Sequence, residues 1–473
     1  MSKWTDRGLK RFPTGIPSLD RILGGGVPLY ATIIIAGRPG TGKTILSQQM
    51  LFANAERGRK GLYLTTLSES PIKSARYQSE FAFFDPAKFG ESVVYVDIGE
   101  TLRREGVLRT VDVVADLLRQ TQPSVVVIDS FKVIHDLASS PKDVRTFVYD
   151  LAIELSAVQC TSFLVGEYDL PDIPVLPEFA VGDGIIWLAL ESGEAKAQRS
   201  LRVLKMRGVN HPATPFSFNI DASGIDLYAV PAVMPASKSA GQGEQLVRTG
   251  IPGLDELLRG GTPVGSPLLV SGEAGVGKST LCTQFIYNGA KLFDETGLYF
   301  SFEEPPERIM ANARAFGWDL APLIERGKVR FYHTPLPLVN ADRELMRIQA
   351  ALAETGARRA VIDSLTMLMH GIKEPDIIRR HVYQLTTLLS NAGCTGFIVT
   401  DPPAGSGRIS SFGVEESIAD GIILLRTVKE KRARTRLIEI YKLRGVNHAS
   451  GDHTMTITSE GVHVYPRAEE VLR

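Results

Sequence analysis

Cysteine is scarce: Cys160, Cys282 and Cys394 are the only three in 473 residues. They are too few and too scattered for a disulfide framework or a cysteine-rich zinc site, and a reducing cytoplasm is the compartment they predict. No apolar run approaches the about 20 residues that span a bilayer. The opening Met-Ser-Lys-Trp-Thr-Asp-Arg lacks the apolar core of a signal peptide, so no membrane partner is expected. Excess charge of one sign is missing as well, with 53 Lys and Arg against 53 Asp and Glu. Without a global basic field, nucleic acid is not an expected partner unless a local patch provides for it. The densest basic cluster, Lys429-Glu430-Lys431-Arg432-Ala433-Arg434, reads as a solvated hairpin.

What the chain does have, it has twice. Gly37-Arg38-Pro39-Gly40-Thr41-Gly42-Lys43-Thr44 and Gly272-Glu273-Ala274-Gly275-Val276-Gly277-Lys278-Ser279, followed by Thr280, both fit G-x-x-x-x-G-K-[ST]. In such a loop glycines let backbone N–H groups curl around phosphate oxygens, at the positive end of the helix that follows. The lysine reaches the outer phosphates, and the Thr or Ser hydroxyl can ligate Mg²⁺. An apolar run enters each loop and a helical pattern leaves it, as nucleotide binding requires.

The two lysines are 235 positions apart, and Thr14-Gly15-Ile16-Pro17-Ser18-Leu19-Asp20 precedes its counterpart Thr249-Gly250-Ile251-Pro252-Gly253-Leu254-Asp255 by the same interval. The chain therefore reads as a tandem repeat: a first ATP-binding domain over 1–232, an exposed Pro-, Ser- and Gly-rich linker over 233–245, and a second ATP-binding domain over 246–473. Within each half, apolar runs alternate with amphipathic helical windows, which predicts an α/β fold with a mainly parallel sheet covered on both faces. Closely spaced runs from Gly184 onward predict an antiparallel extension.

Asp129 and Asp363 each end an apolar run and should emerge at the carboxyl edge of the sheet. They are the candidate second source of Mg²⁺ ligands beside Thr44 and Ser279, although an isolated Asp there could simply cap a turn. Glu303 and Glu304 end the run Gly297 to Phe302, where one carboxylate can orient or deprotonate water. The first half offers only Glu69, displaced by one residue. Either the first domain binds ATP and hydrolyses it slowly, or Glu69 suffices. Lys205 and Arg207, like Lys442 and Arg444, are two apart on a strand and point to one face, each pair inside Lys-x-Arg-Gly-Val-Asn-His. They could clamp phosphates of an adjacent subunit or be a solvated strand end.

Taken together, the lead-ins, both phosphate loops, Phe302-Glu303-Glu304, the strand-ending aspartates and both Lys-x-Arg-Gly segments resemble the KaiC family, double-domain ATPases of the RecA superfamily that include the cyanobacterial circadian-clock protein. The resemblance implies a RecA-like core in each half and six subunits in two stacked rings. It also implies ATP with Mg²⁺ at subunit interfaces, Lys205, Arg207, Lys442 and Arg444 touching the neighbour's nucleotide, and Glu303 as general base. Clock members phosphorylate an adjacent Ser-Thr pair in the second domain, which falls here on Glu416 and Ser417. Ser417 is then the candidate phosphoacceptor, with Ser410 and Ser411 nearby, and an ordered two-site cycle cannot run on this pair. The leading expectation is a homohexameric ATPase with Ser autokinase capacity. The alternatives are a nucleotide-gated scaffold for a signalling partner, or a nucleic-acid motor of the same superfamily, which would need a basic, aromatic-studded groove.

Overall fold

Apolar runs of five or six residues form the centre of each half. The computed structural model describes residues 9–66, 71–192, 197–229, 245–403, 405–430 and 433–466. Two units divide the chain, Met1–Ala229 and Val230–Arg473. Residues 233–244, read above as linker, lie outside the described residues.

The main strands of the first unit are β1 (Thr32–Gly37), β2 (Gly61–Thr65), β3 (Val93–Asp97), β4 (Val125–Asp129), β5 (Thr161–Glu167), β6 (Gly184–Ser192), β7 (Ala197–Met206), β8 (Phe216–Asp221) and β9 (Gly224–Leu227). They form one sheet in the order β9-β8-β7-β6-β1-β5-β4-β2-β3. The strands from β6 to β3 along that order are parallel, and β7, β8 and β9 extend the sheet antiparallel. The second unit repeats this arrangement with β10 (Pro267–Gly272), β11 (Gly297–Ser301), β12 (Val329–His333), β13 (Arg359–Asp363), β14 (Thr395–Thr400), β15 (Gly421–Glu430), β16 (Ala433–Leu443), β17 (His453–Thr458) and β18 (Gly461–Tyr465). Their order is β18-β17-β16-β15-β10-β14-β13-β11-β12.

Each sheet is buried on both faces because its parallel strands are apolar at successive positions. Ile33 and Ile35 of β1 face one core with Phe52 and Phe163, whereas Ile34 and Ala36 face another with Leu118 and Phe147. In the second unit Leu268 and Val270 oppose Leu269 in the same way. The switch to antiparallel pairing comes one strand later than the sequence suggested. β6 runs parallel to β1, and its start is anchored where the Asp183 N–H donates to the Thr32 carbonyl and the Thr32 N–H donates back to the Asp183 carboxylate at 3.1 Å.

Two local features bear on the site. β7 and β16 each carry a one-residue bulge, at Leu204 and Tyr441, just before the lysine of Lys-x-Arg-Gly. Leu201 and Val203 are buried, and strict alternation would put Lys205 on their face. The bulge inverts the alternation, so Met206 turns inward while Lys205 and Arg207 turn outward. Ile438, Ile440 and Leu443 show the same inversion around Lys442. The second feature has no twin. Where β4 begins with Val125, β13 begins with the fully buried Arg359. Its guanidinium donates to Glu295 at 2.6 Å and to the carbonyls of Arg248 (2.7 Å) and Phe285 (3.0 Å), and lies 4.7 Å from the Phe285 ring centroid.

Candidate functional site

β1 and β10 lead into the phosphate-type loops, which run directly into helices Lys43–Ala55 and Lys278–Leu292. Gly42 and Gly277 precede those helices at φ 101° and 116°. A Cβ at either would sit 2.7 Å from a side-chain methyl, of Ile220 and Ile457 respectively, so only glycine fits. Thr41 is fully buried and donates to the Arg38 carbonyl at 2.8 Å, and Val276 packs in the core. Their side chains hold the loops from beneath. Pro39 and Gly40, like Ala274 and Gly275, lie at exposed tips.

Both lysines are 7% exposed. Lys43 donates to the Arg38 carbonyl at 2.9 Å, and burial lowers its pKa while Glu167 and Asp129 oppose that shift. Lys278 donates to the carbonyls of Gly272 (2.6 Å) and Glu273 (3.0 Å) and meets Asp401 at 2.8 Å. Glu167 ends β5 and Asp401 follows β14 directly, two equivalent positions. Sequence reasoning passed over both, although the rule that selected Asp129, a carboxylate ending an apolar run, would have found them.

Asp129 and Asp363 end strands one removed from the loop strands, with β5 and β14 between. Twist and strand length still bring them to the loop. The Thr44 hydroxyl donates to Asp129 Oδ2 at 2.8 Å, and Ser279 is hydrogen-bonded to Asp363. Each aspartate also accepts from a buried tyrosine, Tyr63 at 2.8 Å and Tyr299 at 2.7 Å. Burial pushes the Asp363 pKa up, against the Tyr299 and Ser279 hydrogen bonds. Both aspartates precede a cis peptide bond, to Ser130 and Ser364.

Of the paired glutamates, Glu303 is the one brought to the site. Loss of hydration raises its pKa first, followed by the nearby charges of Asp401, Asp363 and Glu304, with Lys278 opposing. Glu304 instead sits 3.6 Å from Arg308 in an i,i+4 pair. Glu69 lies outside the described residues. In the first unit Lys43, Thr44, Tyr63, Asp129 and Glu167 border a cleft of about 630 Å³, a volume in the range of small-molecule sites.

The cations of Lys-x-Arg-Gly lie elsewhere. Lys205 donates to the Gly182 carbonyl at 2.6 Å and Lys442 to those of Glu416 (2.8 Å) and Ala419 (2.7 Å), ending helices Pro177–Val181 and Glu415–Ile418. Arg207 pairs with Asp183 at 3.1 Å, and Arg444 donates to the Ser417 carbonyl at 2.8 Å. All four lie at the start of β1 or β10, whereas each loop lies at the other end, roughly 17 Å away along six extended residues. No cation of this segment therefore serves its own unit's loop. Ser417 is exposed and donates to the Val414 carbonyl at 2.9 Å, and Ser410 donates to Glu416 at 2.8 Å.

Among the described residues no group of three or more His, Cys, Asp or Glu could hold a metal ion, and no helix is long and apolar enough to cross a membrane. A family model described as the KaiC ATPase matches the chain twice, at residues 12–231 and 247–469. The circadian clock oscillator protein KaiC of Nostoc sp. is 39% identical over 236 residues, 48% of this chain and 46% of that protein. Its namesake in Synechococcus elongatus is 38% identical over 240 residues, 49% of this chain and 46% of that protein. The chain thus matches about half the length of these curated relatives. With the family model covering both units, and the same loop, aspartate and Lys-x-Arg-Gly geometry in each, the chain belongs to the KaiC ATPase family as two tandem RecA-like domains.

Proposed function

We propose that the chain binds ATP with Mg²⁺ in both units, hydrolyses it most rapidly in the second, and works as a homohexamer in which each pocket is completed by the neighbouring subunit. The observation that carries this reading is the separation within each unit. Loop and aspartate converge at the carboxyl edge of the sheet, joined in the second unit by Glu303, while the paired cations lie at its opposite end. Those cations can meet a phosphate only across a subunit boundary, as an arginine finger does.

Thr44 with Asp129, and Ser279 with Asp363, offer hard oxygen donors, the set Mg²⁺ prefers. They would hold the ion, which when bound neutralises charge on the outer phosphates. With so few protein ligands, phosphate and water would complete its coordination. Lys43 and Lys278 leave their carbonyl partners for the phosphates, and the loop N–H groups cradle them. Glu303, its pKa raised by partial burial and surrounding carboxylates, accepts a proton from the attacking water more readily than an ordinary glutamate. Ser417, exposed beside Arg444, is the acceptor for phosphoryl transfer within the same proposal.

The test is incubation of the full chain with γ-labelled ATP, separating free phosphate from label on protein, beside hydrodynamic mass with and without nucleotide. Released phosphate and an ATP-dependent hexameric mass are expected. Absence of both release and labelling, or the mass of one protomer under saturating ATP, overturns the reading.

A further inference from the structure

The aspartate of each unit belongs to a small network of side chains that the loop pattern does not contain. In the first unit Thr44 and Tyr63 both donate to Asp129 Oδ2 at 2.8 Å, and Gln48, one helical turn beyond Thr44, is hydrogen-bonded to the Tyr63 phenol. In the second unit Ser279 is hydrogen-bonded to Asp363, Tyr299 donates to Asp363 Oδ2 at 2.7 Å, and Thr283, near the Tyr299 phenol, donates its hydroxyl to the Ser279 carbonyl at 2.8 Å. Gln48 and Thr283 hold the same place, four residues past the loop hydroxyl, so the network recurs although one member differs.

Each tyrosine sits at the middle of its strand, buried and covered by an aromatic ring of the neighbouring strand. Tyr95 lies 4.8 Å from Tyr63 and Phe331 lies 5.4 Å from Tyr299, centroid to centroid. The ring supplies the packing, and a buried phenol needs a partner for its hydroxyl. The hydroxyl has one visible task in both copies: it meets the carboxylate at the same oxygen. A carboxylate gripped by a fixed donor loses rotamer freedom, and groups of this kind behind a ligand tune how well it serves a metal.

We propose that Tyr63 and Tyr299 are positioning residues that fix Asp129 and Asp363 against Thr44 and Ser279, so that the oxygen donors for a divalent cation are set before MgATP arrives. This deepens the functional reading above and rests on it. The test uses the full chain and its Tyr63→Phe and Tyr299→Phe variants, which keep the ring. Binding of a fluorescent ATP analogue is measured in EDTA and across a Mg²⁺ titration, with Mn²⁺ binding followed by electron paramagnetic resonance. Affinity in EDTA should stay within about twofold, while the Mg²⁺ concentration for half-maximal tightening rises about tenfold and Mn²⁺ binds correspondingly weaker. Tyr63→Phe makes the same change in the first unit and carries the test if Tyr299→Phe does not fold. Curves superimposable on wild type, or equal loss with and without Mg²⁺, overturn the inference alone. Wild type showing no Mg²⁺-dependent tightening would overturn the functional reading and this inference with it.

Discussion

Replacing Asp401 with asparagine removes the charge that Lys278 meets at 2.8 Å. An arriving triphosphate must take Lys278 from that carboxylate and lie beside its negative charge. At 2.8 Å the attraction is about 6 kcal/mol in a medium of effective dielectric near 20, but most of it is cancelled by hydration. The Asp401 side chain is 35% exposed, so the net worth falls at the low end for a charge-assisted hydrogen bond, about 1.5 kcal/mol. Asp401→Asn should therefore bind ATP about tenfold more tightly in the second unit. Asp401 also contributes to the raised pKa of Glu303, so its removal lowers that pKa. A base must be ionised to act, so the acid limb of the turnover profile should move to lower pH in the variant. Calorimetric titration of wild type and variant with a non-hydrolysable analogue, in which only the second-unit class of sites should change, gives the affinity, and a pH series of phosphate release gives the limb. Unchanged or weaker binding would refute the reasoning, because Asp401 would then support the nucleotide instead of competing with it.

Lys278→Ala should abolish most phosphate release while Lys43→Ala mainly loosens the oligomer; a Lys43 variant that stays hexameric yet loses more turnover contradicts this. Arg359→Met leaves Glu295 without its buried partner and should destabilise the second unit by about 3–5 kcal/mol, read from denaturant unfolding, and a change under about 1 kcal/mol would show the network to be dispensable. Gly277→Ala places a Cβ 2.7 Å from Ile457 at φ 116°, strain of about 1–3 kcal/mol, and should weaken ATP binding in the second unit by tenfold or more. Wild-type affinity in that variant would show that the loop tolerates another backbone path.

Both loops and both strand-ending aspartates could be read from sequence because each rests on local chemistry: glycines where φ is positive, a hydroxyl after the lysine, a carboxylate after an apolar run. The lead-ins were visible as repeats but not as structure. Asp20 accepts from the Thr14 N–H at 2.6 Å and hydroxyl at 2.7 Å, and Asp255 does the same for Thr249, so they close a turn instead of touching ligand. Strand order was not legible, since nothing along the chain says that β5 and β14 insert between loop and aspartate. Tyr63 and Tyr299 escaped for a related reason: on an apolar strand a tyrosine looks like core, and its partner is 66 or 64 residues away. The residues alone left Glu303 and Glu304 both open and only the family resemblance preferred Glu303; in the structure Glu304 lies 3.6 Å from Arg308.

The extra residue in β7 and in β16 works as a phase marker for everything after it. With Leu204 or Tyr441 deleted, Lys205 or Lys442 would follow buried Val203 or Ile440 directly on a regular strand and still face outward, with Met206 or Leu443 still inward. Loss of the next residue, buried Met206 or Leu443, would instead bring Arg207 or Arg444 to the inward position and disarm the cationic rim.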